Sequence, residues 1–316
     1  MLNRRYLRIK AFQSLYAYWQ SDNASAARIE KELFNGVDRT YDLYLSLLLV
    51  FGELRHVAEL IHEERKKKRL PTAEDLAPNL RFVDNPVLRT LAQSERLRIE
   101  CEKRKISWVG NHELFTTLYR ELESNEFVVA YMQEPAKGFK RDQGFILQLF
   151  TEVIANHEAL QEVYEGRSIT WLEDLDLAAS LVKRTIEQMR EVDSADLAME
   201  ELIRDPKEDN DFVSALFRKT IEYGKEHEKA IAERSANWES DRIALSDMIL
   251  MQMALTEVRI FDQIPVKVTL NEYIEIAKAY STPKSKNFIN GVLDKLFIEM
   301  RADGRIRKVG RGLLES

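Results

Sequence analysis

The fold is decided by a stretch near the C-terminus that reads Pro265-Val-Lys-Val-Thr-Leu-Asn-Glu-Tyr-Ile-Glu-Ile-Ala-Lys-Ala-Tyr280, then Ser-Thr-Pro-Lys-Ser285, then Lys-Asn-Phe-Ile-Asn-Gly-Val-Leu-Asp-Lys295. At 3.6 residues per turn, the apolar side chains from Leu270 to Tyr280 share one face, which predicts an amphipathic helix. Pro283 ends this helix, because proline lacks an amide donor and disfavours helical backbone just before it. A second amphipathic helix follows, with its apolar face formed by Phe288, Ile289, Val292, Leu293, Leu296 and Phe297.

Phe288 lies at the margin of this second apolar face, beside Lys284 and Lys295. An aromatic ring flanked by lysines is suited to stacking on a nucleic-acid base or to anchoring a partner protein. Gly291 leaves a smooth patch on the polar face at a cost of about 1 kcal/mol relative to alanine. The alternative is that Phe288 is an ordinary residue at the edge of the core and that Gly291 only relieves crowding.

The first helix is predicted over residues 3–20, with an apolar face formed by Ile9, Phe12, Leu15, Tyr16 and Trp19. Arg4, Arg5 and Arg8 project on the same side, one or two turns earlier. Because unpaired charges do not enter a core, we expect the first turns to overhang the bundle or to form a loose arm that a polyanion orders. Arginines suit bidentate phosphate contacts. The alternative is a solvated basic helix start, which the helix dipole disfavours.

Motifs at both ends of the chain resemble those of the NusB family of bacterial transcription antitermination factors. They read Ile264-Pro-Val-Lys-Val-Thr-Leu-Asn-Glu272, Ile276-Ala-Lys278 and Ser285-Lys-Asn-Phe-Ile-Asn-Gly-Val-Leu-Asp-Lys295, with Arg4-Arg5, Arg8 and Phe12-Gln-Ser-Leu-Tyr16 near the N-terminus. The resemblance covers roughly residues 1–20 and 208–300. It implies an all-α bundle of two packed helical subdomains, which pairs with the ribosomal protein NusE and binds the boxA element of nascent RNA.

The resemblance also implies site residues and partners. We expect RNA contacts, within an RNA polymerase antitermination complex, from Arg4, Arg5, Arg8, Gln13, Lys284, Ser285, Lys286 and Asn290. Tyr16 and Phe288 are the candidates for contact with NusE. The chain departs from the family pattern where Tyr6-Leu7 interrupts the arginine run, and where Lys284 stands in place of the acid of some relatives. The alternative is a helical protein-interaction scaffold whose core no longer binds boxA.

Residues 21–205 are expected to form a helical insertion, with a short helix over 25–35 and a longer one from about Tyr41 to Lys68. The run from Leu43 to Phe51 predicts a buried helix. At an offset of 67 residues, Phe145 and Trp171 align with Phe212 and Trp238. This weak internal similarity has two interpretations: a duplicated helical pair, whose first copy lies within residues 141–193, or chance similarity between amphipathic hairpins.

Composition favours an all-α protein, because glycine and proline are scarce. The net charge of −6 disfavours indiscriminate nucleic-acid binding, although both termini are basic. Residues 301–316 are expected to form a flexible basic tail. The single cysteine, Cys101, together with the absence of a signal peptide and of a membrane-spanning run, predicts a cytoplasmic protein. We find no catalytic, metal-binding or cofactor-binding motif, so an enzyme is not expected.

Overall fold

The computed structural model describes residues 4–21, 25–136, 138–168, 171–191, 197–200, 206–235 and 243–314. These residues form fourteen α-helices and no β-strand, which confirms the all-α class. In chain order the helices are α1 (Arg4–Gln20), α2 (Ala26–Lys66), α3 (Ala73–Leu76), α4 (Pro86–Gln93), α5 (Glu95–Arg104), α6 (His112–Ser124), α7 (Glu126–Gln133), α8 (Phe139–Gln148), α9 (Glu158–Arg167), α10 (Trp171–Gln188), α11 (Pro206–Ser235), α12 (Leu245–Ile260), α13 (Val266–Tyr280) and α14 (Ser285–Ala302).

The chain divides into two compact units, of which unit 1 comprises residues 1–37 and 201–316 and unit 2 comprises residues 38–200. The boundary lies within α2, a single helix where the sequence predicted two. Gly36 lies within the expected break, but one glycine costs a helix only about 1 kcal/mol. Leu33 and Val37 on either side of it are buried, so their packing holds the helix together across that position.

Unit 1 packs α11 against α12, and α1 against α11, α12 and α13. Helix α12 is apolar on nearly all sides and lies in the centre of the unit, as expected of a helix of that composition. Met251 and Met253 are buried in this core and act as packing residues. Helices α13 and α14 pack on each other and on α12, in agreement with the two-helix prediction for residues 265–295.

Unit 2 is built around the apolar part of α2, where Leu43, Leu47 and Phe51 are fully buried as predicted. Aromatic rings fill much of its core, including a parallel stack of Tyr131 and Phe145 with ring centroids 3.7 Å apart. Several short helices begin at capping side chains. This density of aromatic and capping contacts gives unit 2 an internal core of its own.

The two segments related by the 67-residue offset bury equivalent phenylalanines but differ in backbone conformation. Phe145 and Phe150 are buried in unit 2, as Phe212 and Phe217 are in unit 1. The first copy, however, is interrupted after α8 by a π-turn over Leu149–Val153 and a 3-10 turn over Ile154–Asn156, whereas α11 is continuous. Trp238 lies outside the described residues, so both interpretations of the internal similarity stand.

The segment after α14 packs on unit 1, where composition had predicted a flexible tail. Ile306 is buried, the Lys308 ammonium donates to the carbonyl of Phe261 at 2.8 Å, and the Val309 amide donates to the carbonyl of Asp262 at 3.1 Å. Burial lowers the pKa of Lys308 to about 8. These bonds to the α12–α13 junction, at Phe261 and Asp262, order the segment through Leu314. Composition cannot reveal such contacts.

Candidate nucleic-acid interface

The three arginines of α1 lie against carboxylates from other helices of unit 1. Arg4 pairs with Glu208, and Arg5 donates to Glu272 through Nε at 2.9 Å and Nη2 at 2.7 Å. The Glu272 carboxylate raises the pKa of Arg5 by accepting these bonds. The expectation of an overhanging or loose first turn was therefore wrong. The first turn of α1 packs on unit 1, because acids that are far away in the sequence lie beside its arginines and compensate their charge.

Arg8 is buried and forms a bidentate ion pair with the fully buried Glu257, both N···O distances being 2.7 Å. Thr269 and Tyr273 also donate to this carboxylate, at 2.8 and 3.1 Å. Burial by itself would lower the pKa of Arg8, but the attraction of Glu257 outweighs it and leaves the pKa raised. Burial and the nearby carboxylate raise the pKa of Tyr273. Arg8 thus joins α1 to α12 inside the unit and presents no guanidinium at the surface.

Helix α1 presents Tyr16 to solvent along its border with α13. The Tyr16 side chain is 40% exposed, and its hydroxyl accepts a hydrogen bond from Gln20 at 3.3 Å. Beneath it, the ring of Phe12 lies 6.3 Å from Tyr16 and 5.5 Å from Tyr280, centroid to centroid. Gln13 is partly exposed. The aromatic side of α1 therefore meets the last residue of α13, where the turn leading to Lys284 begins.

A cluster of hydroxyls around Asp247 holds the turn between α13 and α14. Ser281 donates to one carboxylate oxygen of Asp247, and Ser285 donates to the other at 2.8 Å. The Thr282 hydroxyl lies 2.8 Å from that of Ser285. Ser285 is buried, so its place in the structure is to fasten the start of α14 to α12. We call Asp247, Ser281, Thr282 and Ser285 the turn cluster.

The start of α14 carries the exposed part of the predicted site. Lys284 and Lys286 are exposed, and neither forms an ion pair with an acid in the described ranges. Asn290 is partly exposed one turn later and donates to Asp294 at 3.1 Å. Phe288 is only 9% exposed, which places its ring at the core edge. Two lysines at the N-terminus of a helix, where the helix dipole favours negative charge, are suited to binding phosphate.

The predicted residues thus fall into two sets. One set is exposed or partly exposed on unit 1 and comprises Arg4, Arg5, Gln13, Tyr16, Lys284, Lys286 and Asn290. Arg8, Ser285 and Phe288 form the other set, which is buried and positions the helices that carry the first.

Sequence reasoning missed the acids Glu257, Glu272 and Asp247 that organise the site. Glu257 could have been identified from the sequence. It is a lone carboxylate in the apolar run of α12, and a buried charge requires a partner. Asp247 and Glu272 occupy ordinary polar positions of their helices. Nothing in the local sequence distinguishes them from solvated acids.

Among the residues that the structure describes, no helix is both long enough and apolar enough to cross a membrane.

Comparison with known proteins gives consistent matches. A family model described as NusB family matches residues 177–297. This range includes the turn cluster and the start of α14 but not α1. The match begins inside α10, within the region predicted as an insertion.

Curated relatives bear the name Transcription antitermination protein NusB. The one from Salinibacter ruber is 39% identical over 142 residues, which cover 43% of this chain and 89% of that protein. The one from Chloroherpeton thalassium is 40% identical over 116 residues, or 37% of this chain and 54% of that protein. No solved structure gives a significant match.

Proposed function

Because this chain belongs to the NusB family, we propose that it is a transcription antitermination factor that binds boxA-type single-stranded RNA together with NusE. The observation that carries the proposal is the exposed pair Lys284 and Lys286 at the start of α14, which form no ion pair with an acid that the structure describes. They follow a few residues after Tyr280, whose ring contacts Phe12 in an aromatic group with Tyr16. Lysines supply salt-dependent attraction to phosphates, and exposed rings and amides read unpaired bases. The role is one of binding within an RNA polymerase antitermination complex.

We propose a task for each predicted residue that agrees with its exposure. Lys284, Lys286 and the partly exposed Asn290 and Gln13 contact the RNA, while Arg4 and Arg5 add positive charge at its edge. Tyr16 contacts NusE or stacks on a base at the rim. Arg8, Ser285 and Phe288 act indirectly, because their buried side chains fix the positions of α1 and α14.

The test is RNA binding by the full chain. We expect a boxA-like RNA to bind more tightly than a scrambled RNA of the same composition, and NusE to increase the difference. Raising the salt concentration weakens binding, because phosphate contacts release counterions. Fluorescence anisotropy at two salt concentrations, with and without NusE, measures all three effects.

A pair of variants locates the site. Lys284→Ala with Lys286→Ala should weaken boxA binding about tenfold or more, as expected for the loss of two phosphate contacts. The matched control is Lys31→Ala with Lys229→Ala, which removes the same charge from exposed positions on α2 and α11. Equal binding of both RNAs, unchanged by NusE, would refute the proposal and favour a protein-interaction scaffold.

A further inference from the structure

A second surface of unit 1 lies at the other end of α14. The first turns of α13, the second half of α14 and the segment after it enclose an open groove of about 1270 Å³. Its lining is mostly aliphatic, with the main contributions from Val266, Leu270, Ile298, Ile306, Leu313 and Leu314. Ile298 is 71% exposed and Leu313 is 65% exposed. Apolar side chains exposed together in this way are typical of an interaction site.

The outer wall of the groove is held in place by backbone contacts. Besides the bonds of Lys308 and Val309 to the α12–α13 junction, Gly312 packs directly on the backbone of that junction. A Cβ on Gly312 would lie 1.9 Å from the Asp262 carbonyl oxygen, so only glycine fits there. The wall is therefore part of the folded unit, and the exposed leucines at its rim have a fixed position.

The charges of the groove favour an acidic occupant. Among the lining residues that the structure describes, the cations Lys267, Arg301 and Lys308 outnumber the one carboxylate, that of Asp294. On α14 the lining residues Asp294, Ile298 and Arg301 recur at helical spacing over two turns, a length of roughly 10 Å. That length matches about two turns of a second helix lying along the groove.

The chemistry of the lining favours a protein over a nucleic acid as the occupant of the groove. Single-stranded RNA is bound by stacking bases on accessible aromatic rings. Phe297 is the sole aromatic among the described lining residues, and it is only 4% exposed. An aliphatic floor with a basic rim fits instead leucine-like side chains flanked by carboxylates.

We propose that this groove docks an acidic amphipathic helix of a protein partner. The site is separate from the RNA-binding residues at the start of α14 and does not depend on RNA binding. It allows a protein that binds RNA at one end of α14 to recruit a second protein at the other end.

The test uses a labelled peptide of about 16 residues in which leucine recurs at i, i+3, i+4 and i+7 and glutamate fills the flanking positions. One comparison peptide carries lysine in place of glutamate, and another has the same composition in scrambled order. We expect the full-length protein to bind the acidic peptide at least about fivefold more tightly than either comparison peptide, and less tightly as salt rises.

Ile298→Glu should weaken peptide binding about tenfold or more, because it places a carboxylate in the apolar centre of the groove. Ile298 is largely exposed, so the variant should fold, which circular dichroism checks. Ile99→Glu, at an exposed position on α5 of unit 2, is the matched control and should bind normally. Lys267→Glu should reduce the preference for the acidic peptide over the lysine peptide.

Three results would overturn the proposal: equal binding of the acidic and scrambled peptides, full binding by Ile298→Glu, or a concentration-dependent dimer that Ile298→Glu abolishes. The last result would mean that a second copy of the chain occupies the groove. RNA binding is measured in parallel and should be unchanged in Ile298→Glu, so failure here and failure of the RNA proposal give different results.

Discussion

The two basic segments of unit 1 have similar charge and opposite environments. On α1, Arg4, Arg5 and Arg8 each pair with a carboxylate from another helix. At the start of α14, Lys284 and Lys286 face solvent without an ion pair in the described ranges. Arg8 therefore serves to hold unit 1 together, whereas Arg4 and Arg5 are compensated nearer the surface and the two lysines remain available for an external phosphate.

The physical reason for this difference is desolvation. A buried guanidinium such as that of Arg8 is stable only beside a desolvated carboxylate, and removing either partner leaves an uncompensated charge in the core. An exposed lysine keeps its hydration and contributes little to folding until a polyanion approaches. Substitutions in the two segments should therefore separate stability from RNA affinity.

The largest expected effect is on stability and comes from Arg8. Arg8→Met should lower the free energy of unfolding by about 3–5 kcal/mol, since Glu257 would stay buried without its cation. Urea denaturation of the full chain measures the loss. Adding Glu257→Gln should recover part of it, because the amide removes the uncompensated charge while its single oxygen still accepts from one of the two hydroxyls, those of Thr269 and Tyr273. A loss below about 1 kcal/mol would show that Arg8 is not a structural residue.

The next effect concerns the salt dependence of RNA binding. Lys284→Ala with Lys286→Ala should reduce the slope of log Kobs against log salt by about 1.4, or 0.7 for each phosphate contact with a single strand. Arg4→Ala with Arg5→Ala should reduce it less, because these arginines are already paired with Glu208 and Glu272. Equal reductions in anisotropy titrations would contradict the distinction between the two segments.

The turn cluster tests whether the lysines need a fixed position. Asp247→Asn should weaken boxA binding about threefold to fivefold with both lysines intact, since Ser281 and Ser285 lose a charged acceptor worth roughly 1 kcal/mol. Hydrogen exchange should become faster in residues 281–288. Asp84→Asn, at an exposed position of unit 2, removes the same charge far along the chain from the predicted RNA-binding residues; it is the control and should change neither quantity.

The smallest effect comes from releasing Arg5. Glu272→Gln removes the carboxylate that holds Arg5 and should strengthen RNA binding about twofold, with a salt slope steeper by up to about 0.7. Arg8 keeps its main partner, Glu257, so the unit should remain folded. Weaker binding in this variant would show that Glu272 orients Arg5 toward the RNA instead of competing for it.

Local pattern predicted much of this architecture. The α13–turn–α14 arrangement followed from apolar spacing and Pro283, and the buried run of α2 followed from its continuous hydrophobicity. The break expected between residues 35 and 41 was wrong, because the tertiary packing of Leu33 and Val37 outweighs the low helix propensity of Gly36. The order of the segment after α14 was missed because it depends on backbone bonds to Phe261 and Asp262.

The sequence by itself determined that this protein is helical, which stretches form the two C-terminal helices, and that both ends carry family motifs and positive charge. Only the tertiary structure decided which of those charges are available. Arg8 and Glu257 are 249 positions apart, and Arg5 and Glu272 are 267 positions apart. No local pattern relates residues at such separations, because their pairing depends on how the helices dock. The same docking leaves Lys284 and Lys286 in solvent.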